Sequence, residues 1–388
     1  GRKSLKKLKA HTDDPLIKEL LDAIIDFKDV DKILTGFIPA FEDATLGPDG
    51  QYYLFGFFNL GGTVSGRLSS NGPNLQNLPA SGSRYAKIIK KCFRAIKGYL
   101  FVGLDFASLE DRISALTTKD PQKLKVYTDG YDGHAMRAVA YFGDQMPDID
   151  PNSVESVNSI AEKGHKYGHF RQDSKVPTFL LTYGGTWMGI MEQCGFSKEK
   201  AQSIEANYHK LYTVSDQWVS DKLDQASKVG YVTVAFGLRV RTPLLHQVIR
   251  GNKATPFEAE AEGRTAGNAL GQSYGLLNTR AASAFMKKVR AHPEYRLMIR
   301  PCAQIHDAQY YLIPDNINCL FWMNEHLVEE VKWQDDPAIY HPEVKLGGEL
   351  SIFYPSWAEE LSLPNNLNHE IFQDKLNAHL EKYCPQAA

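Results

Sequence analysis

Tyr99-Leu100-Phe101-Val102-Gly103-Leu104-Asp105-Phe106-Ala107-Ser108-Leu109-Glu110 opens with a short, nearly unbroken apolar run that ends on a carboxylate. So short a run, rich in aromatic and branched residues, reads as a buried strand. Cys302 to Ile305 and Gln309 to Ile313 read as two more strands joined by a tight turn at His306-Asp307-Ala308. Asp105 and Asp307 then each stand at a strand end. A single Asp in such a place is ordinarily a turn or helix cap. Two of them on adjoining strands are hard oxygen donors suited to two divalent cations, which in phosphoryl-transfer sites sit roughly 3.5 to 4 Å apart.

Between the two aspartates the chain carries Arg171, Lys175, Phe179 and Tyr183, followed by Gly184 and Gly185. Residues at every fourth position form one slowly rotating stripe on a helix, here running from cationic to aromatic. Alone, this is an amphipathic helix with a charged start. Beside two metal-binding carboxylates it matches a nucleoside triphosphate, whose phosphates bind Arg and Lys and whose sugar and base pack on rings.

Four further segments complete a pattern. Ser65-Gly66-Arg67-Leu68-Ser69-Ser70 is followed by Pro73-Asn74-Leu75-Gln76-Asn77-Leu78-Pro79; Asp132-Gly133-His134 lies before the stripe, and Arg264, Asn268 and Gln272 lie after it. With Asp105 to Arg112, Arg171 to Gly184 and Ile305-His306-Asp307, and in this order, these segments resemble the polymerase region of the DNA polymerase I family, family A, from about Asp14 to Trp357. The likeness leans toward the bacteriophage branch.

The resemblance implies an α+β fold, a right hand with an antiparallel-sheet palm, mostly helical fingers and a truncated helical thumb. The implied division is a thumb remnant over 1–40, the first part of the palm over 41–125, fingers over 126–245, and the second part of the palm with a C-terminal tail over 246–388. It implies a template-directed DNA polymerase that adds deoxynucleotides to a primer 3′-hydroxyl. Asp105 and Asp307, with the backbone carbonyl of Phe106, would hold two Mg²⁺ ions, for which Mn²⁺ can substitute. Arg171, Lys175 and His134 would contact the triphosphate, with Lys175 giving a proton toward the leaving pyrophosphate. Glu110 would exclude a 2′-hydroxyl, Phe179 in place of Tyr would disfavour nucleotides lacking a 3′-hydroxyl, and Tyr183 would stack near the templating base.

Primer-template contacts are implied for Arg67, Asn74, Gln76, Asn77, Arg264, Asn268, Gln272, His306 and Gly184. The residue types suit that work, because Arg, Asn and Gln donate to minor-groove acceptors present on every base pair and so register fit without identity. Arg264, Asn268 and Gln272 share one helix face, flanked by Ala and Gly residues that permit close approach.

Three departures stand out. Ala308 follows Asp307 where the family usually has Glu, so activity or metal preference is expected to differ. Pro177 interrupts the stripe, which predicts a bend between Arg171 and Phe179. The stretch from Gly143 to Gly168 is longer than usual, and Pro147, Asp148, Asp150 and Pro151 suggest a surface loop.

Composition sets the outer bounds. The 388 residues are 43% hydrophobic, which is enough for a large core, and no apolar stretch is long enough to span a membrane. Five scattered cysteines, Cys92, Cys194, Cys302, Cys319 and Cys384, show no zinc spacing and argue for a reduced compartment, and the resemblance implies the cytoplasm of a bacterial or phage-infected cell. Gly1 with no apolar signal region reads as a scar or an internal cut. Net charge is −2, but two runs are basic: Arg2, Lys3, Lys6, Lys7 and Lys9, and Arg84, Lys87, Lys90, Lys91, Arg94 and Lys97. The second is placed to follow DNA phosphates. Asp14-Pro15 starts a helix whose stripe Leu16, Ile17, Leu20, Leu21, Ile24 and Ile25 is expected to pack within a thumb. Proofreading is not expected from this chain; an upstream exonuclease domain or a processivity factor would be its partners beside DNA and dNTPs. Two other readings stay open: a single-subunit RNA polymerase, which would lack the sugar-excluding Glu110, and a non-catalytic primer-template binding module.

Overall fold

Alternation along Tyr99–Phe106 (β1) organises a five-stranded antiparallel sheet. The other strands are Arg300–Ile305 (β2), Ala308–Pro314 (β3), Gly348–Phe353 (β4) and Glu360–Leu363 (β5), in the spatial order β5-β4-β1-β3-β2. The computed structural model describes residues 2–79, 82–250, 255–365 and 369–383. Gly1 and Cys384, and the side chains of Arg2, Lys3 and Lys7, lie outside the described residues.

Successive side chains of a strand point to opposite faces. Leu100, Val102, Leu104 and Phe106 are buried on one face, in register with Ile313, Tyr311 and Gln309 of β3. The helix Leu276–Ala291 packs there, with Phe285 meeting Tyr311 edge-on at 5.5 Å between ring centroids. Phe101, Gly103 and Asp105 take the other face. At its far end an aromatic group of Phe93, Phe101, Tyr310, Phe353 and Trp357 closes the core. Gly103 is required by that group, because a Cβ there would lie 2.6 Å from the Tyr310 ring and 3.0 Å from Phe353. One face of β1 thus builds the hydrophobic core, while the other runs from aromatic packing to an acid.

The chain forms two compact units. The first comprises Gly1–Pro39, Glu110–Gln272 and His341–Val344; the second, which holds the sheet, comprises Ala40–Leu109, Ser273–Tyr340 and Lys345–Ala388. The first unit is mostly helical, with one small hairpin of Tyr231–Thr233 and Arg239–Arg241.

Two expectations are corrected in the first unit. Asp14 does cap the helix Pro15–Gly36, accepting from the Leu16 N–H at 2.9 Å, but only Leu21 and Ile25 of the apolar stripe are buried. Leu16, Ile17 and Leu20 are exposed, since the six residues spread over about half the helix circumference and only one edge finds cover. The stretch 143–168 is not simply a surface loop. It holds the helix Val154–Ser159, and Met146, Val157 and Ile160 are buried in the helical core, anchoring a segment whose prolines and aspartates suggested only turns.

Candidate active site

Asp105 lies one residue before the end of β1, and its cross-strand partner on β3 is Ala308, the residue next to Asp307. Asp307 sits in the two-residue turn between β2 and β3, where His306 takes a φ of 57°. The Phe106 N–H donates to the Asp307 carbonyl at 3.3 Å, so the end of β1 is stitched to the turn. On the other flank Gly348 lets β4 approach, since a Cβ there would lie 2.6 Å from the Asp105 carbonyl oxygen. Folding therefore brings the two aspartates together.

The electrostatics agree with that placement. The Asp105 carboxyl is pushed up to about 6, first by desolvation against the neighbouring strands, then by the negative charge of Asp307, then by Glu360. Its side chain stays exposed, so crowding rather than enclosure is the source of the first effect. Two acids that repel each other at a solvent-facing strand end form an incomplete charge balance that a divalent cation would complete. Among the described residues no three His, Cys, Asp or Glu side chains group to hold a metal.

The first unit gathers cations. Arg171 is held by Asp132 in a forked ion pair, Nε to Oδ1 at 3.0 Å and Nη2 to Oδ2 at 2.7 Å. Asp132 also caps the helix Gly133–Phe142, accepting from the Ala135 N–H at 2.8 Å, and this helix carries His134. Burial first, then the charges of Arg137, Lys175 and Arg171, hold His134 below the usual imidazole value. Its Nδ1 is buried without a hydrogen-bond partner. Arg171, Lys175 and a neutral His134 thus form one electropositive cluster.

The stripe is not one straight helix. It divides into Gly168–Asp173 and Lys175–Thr182 at Ser174, as Pro177 foretold. Pro177 has no N–H for the Asp173 carbonyl, and restarting at Lys175 puts the proline in a first turn, where no N–H is needed. Ser174, fully buried, fixes the break by donating its hydroxyl to the His134 carbonyl at 3.1 Å. Beyond it Phe179 is half exposed, and the Tyr183 hydroxyl donates to the Glu110 carboxylate. Gly184, at a φ of 71°, and Gly185 stop the helix, with the Gly185 N–H donating to the Leu180 carbonyl at 2.7 Å.

Glu110, Tyr183, Gly184, Arg264, Asn268 and Gln272 line one cleft of about 900 Å³ in the first unit. In the second unit the segment 73–79 is tied to the sheet. Asn74 caps a short turn by accepting from the Gln76 N–H at 3.1 Å, and the Gln76 side chain donates to the Gln304 carbonyl of β2 at 3.2 Å. Arg67 packs against Gly275, where a Cβ would come within 2.9 Å of its Nε. Of the second basic run, Arg84, Lys87, Lys91, Arg94 and Lys97 are exposed, whereas Lys90 lies over the Trp357 ring at 5.4 Å and is part of the packing. Cys92, Cys194, Cys302 and Cys319 are free thiols. No helix among the described residues is long and apolar enough to cross a membrane.

Sequence reasoning missed three supporting roles: Asp132 as the anchor of Arg171, Ser174 at the break, and a buried pair, Asn278 and Gln309, beneath the Asp307 turn. The only sequence signal for each was a polar residue inside an otherwise apolar helical or strand pattern, or beside a motif.

The family model for DNA polymerase family A matches residues 1–318. The chain is 26% identical over 231 residues to the thermostable DNA polymerase I of Thermus aquaticus, covering 60% of this chain and 25% of that protein. It is 30% identical over 221 residues to DNA polymerase I of a Synechocystis species, covering 57% of this chain and 20% of that one. Among solved structures it resembles the POL domain of Pol1 from M. smegmatis in complex with a DNA primer-template and dNTP, with a TM-score of 0.69, 22% identity, and coverage of 92% of this chain and 56% of that chain. The chain therefore spans about a quarter or less of these two curated relatives.

Proposed function

The chain belongs to DNA polymerase family A, and we propose that it is a template-directed DNA polymerase module, adding deoxynucleotides to a primer 3′-hydroxyl by two-metal phosphoryl transfer. The observation that carries this reading is the register that sets Asp105 opposite Ala308, the residue next to Asp307, with the Asp105 carboxyl raised first by desolvation and then by the charge of Asp307. Polymerases of this family use divalent metal ions. Asp105, Asp307 and the Phe106 carbonyl are the groups assigned to hold two Mg²⁺, and the hard, mutually repelling carboxylates suit that ion. Bound there, the two ions would lower the pKa of the primer 3′-hydroxyl and neutralise charge on the leaving pyrophosphate.

The remaining work falls to the chain's own side chains. Arg171, fixed by Asp132, and Lys175 bind triphosphate oxygens, and Lys175 gives a proton to the leaving group. His134, neutral and next to both, donates a hydrogen bond without adding charge. Glu110, oriented by the Tyr183 hydroxyl, blocks a 2′-hydroxyl, while Phe179 offers the sugar an apolar surface. Arg264, Asn268 and Gln272 read the minor groove from their cleft, with Gly184 leaving room for the template beside them; Arg67, Asn77 and His306 contact primer-template from the second unit. Asn74 and Gln76 serve by holding that segment to β2. We assign 1–40 to a thumb remnant, 41–125 and 246–388 to the palm and tail, and 126–245 to the fingers.

Primer extension by this chain and by Asp307→Ala, with Mg²⁺ or Mn²⁺ and with dNTPs or rNTPs, tests the reading. Template-dependent dNTP addition that is lost in Asp307→Ala supports it. Equal extension by both proteins overturns it, and rNTP preference would favour the RNA polymerase alternative.

A further inference from the structure

The Asp307 turn rests on a buried amide. Asn278, on the helix Leu276–Ala291, is 1% exposed. Its Nδ2 donates to the His306 carbonyl at 3.2 Å and to the Ala308 carbonyl at 3.0 Å. These are the carbonyls of the residues on either side of Asp307, whose own carbonyl accepts from the Phe106 N–H. Both amide hydrogens are used, so the plane of the side chain is set by the turn. Its Oδ1 accepts from Gln309 Nε2 at 3.0 Å, and Gln309 Oε1 in turn accepts from the Tyr311 hydroxyl. Gln309 and Tyr311 are each 1% exposed as well.

The placement follows from the alternation of β3. Ala308 faces the side of Asp105, whereas Gln309 and Tyr311 face the helix. A Gln buried at 309 needs polar partners and finds them in Asn278 and Tyr311. The turn itself is demanding. His306 is in the left-handed region, and the carbonyls of the residues on either side of Asp307 both accept from the Asn278 amide. The neighbouring Thr279 hydroxyl donates to the Gln304 side chain at 3.3 Å, extending the same tie along β2.

We propose that Asn278 is a positioning residue for Asp307: by clamping the carbonyls of His306 and Ala308 it fixes the backbone from which the Asp307 carboxylate reaches the cation shared with Asp105. This rests on Asp307 being a metal ligand. The bland account is that Asn278 only satisfies buried carbonyls. The two differ in what an apolar replacement of the whole chain of amides would do. Replacing the three side chains together by apolar groups of similar shape removes the polar pairs among them without orphaning one another, and it removes the clamp, leaving the carbonyls of His306 and Ala308 without their side-chain donor.

The experiment compares the full chain with Asp307→Ala, Asn278→Asp, and the triple variant Asn278→Leu, Gln309→Leu, Tyr311→Phe. Binding of Mn²⁺ alone is read by electron paramagnetic resonance, thermal unfolding by calorimetry, and single-nucleotide addition as kcat and KM. The triple variant is expected to fold and to melt below the parent, because two backbone carbonyls lose a donor, while Mn²⁺ affinity and kcat of the folded protein each fall about 10- to 100-fold, the usual effect of losing a residue that orients a metal ligand, with KM for the nucleotide unchanged. Asn278→Asp, which keeps the volume but loses both donors, is expected to show the same loss and decides the matter if the triple variant does not fold. Parental Mn²⁺ affinity and kcat in either folded variant overturn the proposal. If Asp307→Ala also binds Mn²⁺ like the parent, the assignment of Asp307 fails instead.

Discussion

Replacing Asp132 separates two jobs that the structure loads onto one carboxylate. It caps the helix that carries His134 and it holds Arg171. Loss of an N-cap acceptor costs about 1 kcal/mol. The ion pair is forked and its side chains are only 22% and 24% exposed, which puts it at the upper end of the range for accessible pairs, about 1 kcal/mol. Asp132→Ala should therefore destabilise the first unit by about 2 kcal/mol, and Asp132→Asn, which keeps the cap acceptor, by about half of that. For a unit of about two hundred residues each kcal/mol shifts the melting temperature by about 2–4 °C. The pH dependence follows. Burial works to raise the Asp132 pKa, but the Arg171 hydrogen bond, the Ala135 N–H and the Arg171 charge outweigh it and leave the carboxyl below its ordinary value. A lowered folded-state value means the stabilisation is complete above the unfolded carboxylate value near 4 and fades as pH falls through the folded one. The gap between wild type and Asp132→Ala should be flat from about pH 5 to 8 and narrow below about pH 4. Chemical denaturation of the two single variants, Arg171→Ala and the Asp132→Asn/Arg171→Ala double variant reads the coupling directly. Equal destabilisation by Asn and Ala, or a coupling below about 0.3 kcal/mol, refutes the division of labour.

Lys123, held at about 8 by burial against the opposing charges of Asp111 and Asp120, binds its proton less well folded than unfolded, so stability should rise with pH from about 8 to 10 and the rise should flatten in Lys123→Met, as measured by denaturation across that range. Above about pH 10 buried Tyr141 and Tyr208, whose hydroxyls burial pushes up, reverse the trend, because the unfolded chain loses those protons first. Pro177→Ala should give the Asp173 carbonyl a donor and join the two helices at less than about 1 kcal/mol of net change; hydrogen exchange at residue 177 should show protection, and its absence would mean that Ser174 and not the proline makes the break. On the proposed function, Phe179→Tyr adds a hydroxyl at the half-exposed position assigned to the sugar and should relax discrimination against nucleotides lacking a 3′-hydroxyl about tenfold, the worth of one good hydrogen bond, in the ratio of kcat/KM for ddNTP and dNTP.

The strands were legible because their signal is local. Tyr99 to Leu104 and Gln309 to Ile313 carry it in consecutive residues, and a tight turn between two runs fixes an antiparallel register. The proline break was legible for the same reason, since a missing N–H acts on its own helix. Partners distant in sequence were not. Nothing around Asp132 distinguishes a phosphate-side loop from an anchor for Arg171, thirty-nine residues on. The exposure of Leu16 and Leu20 depends on which edge of a helix finds a neighbour, and the burial of Met146, Val157 and Ile160 on a core assembled from other helices.

Ala308 takes on a meaning in the fold that it lacks in the string. It is 7% exposed and directly opposite Asp105, a distance at which like charges across a strand pair oppose each other. A Glu at that position would set a third carboxylate against an acid already raised to about 6 by burial and by Asp307. Bound cations would ease that repulsion. With Ala the free protein carries less repulsion at the strand end, and the turn can be held by uncharged amides from beneath, as Asn278 and Gln309 hold it. An uncharged residue above the sheet and a polar clamp below it then fit together: the clamp proposed for Asn278 would fix Asp307 through its backbone, where a Glu at 308 would add a further acid beside Asp105.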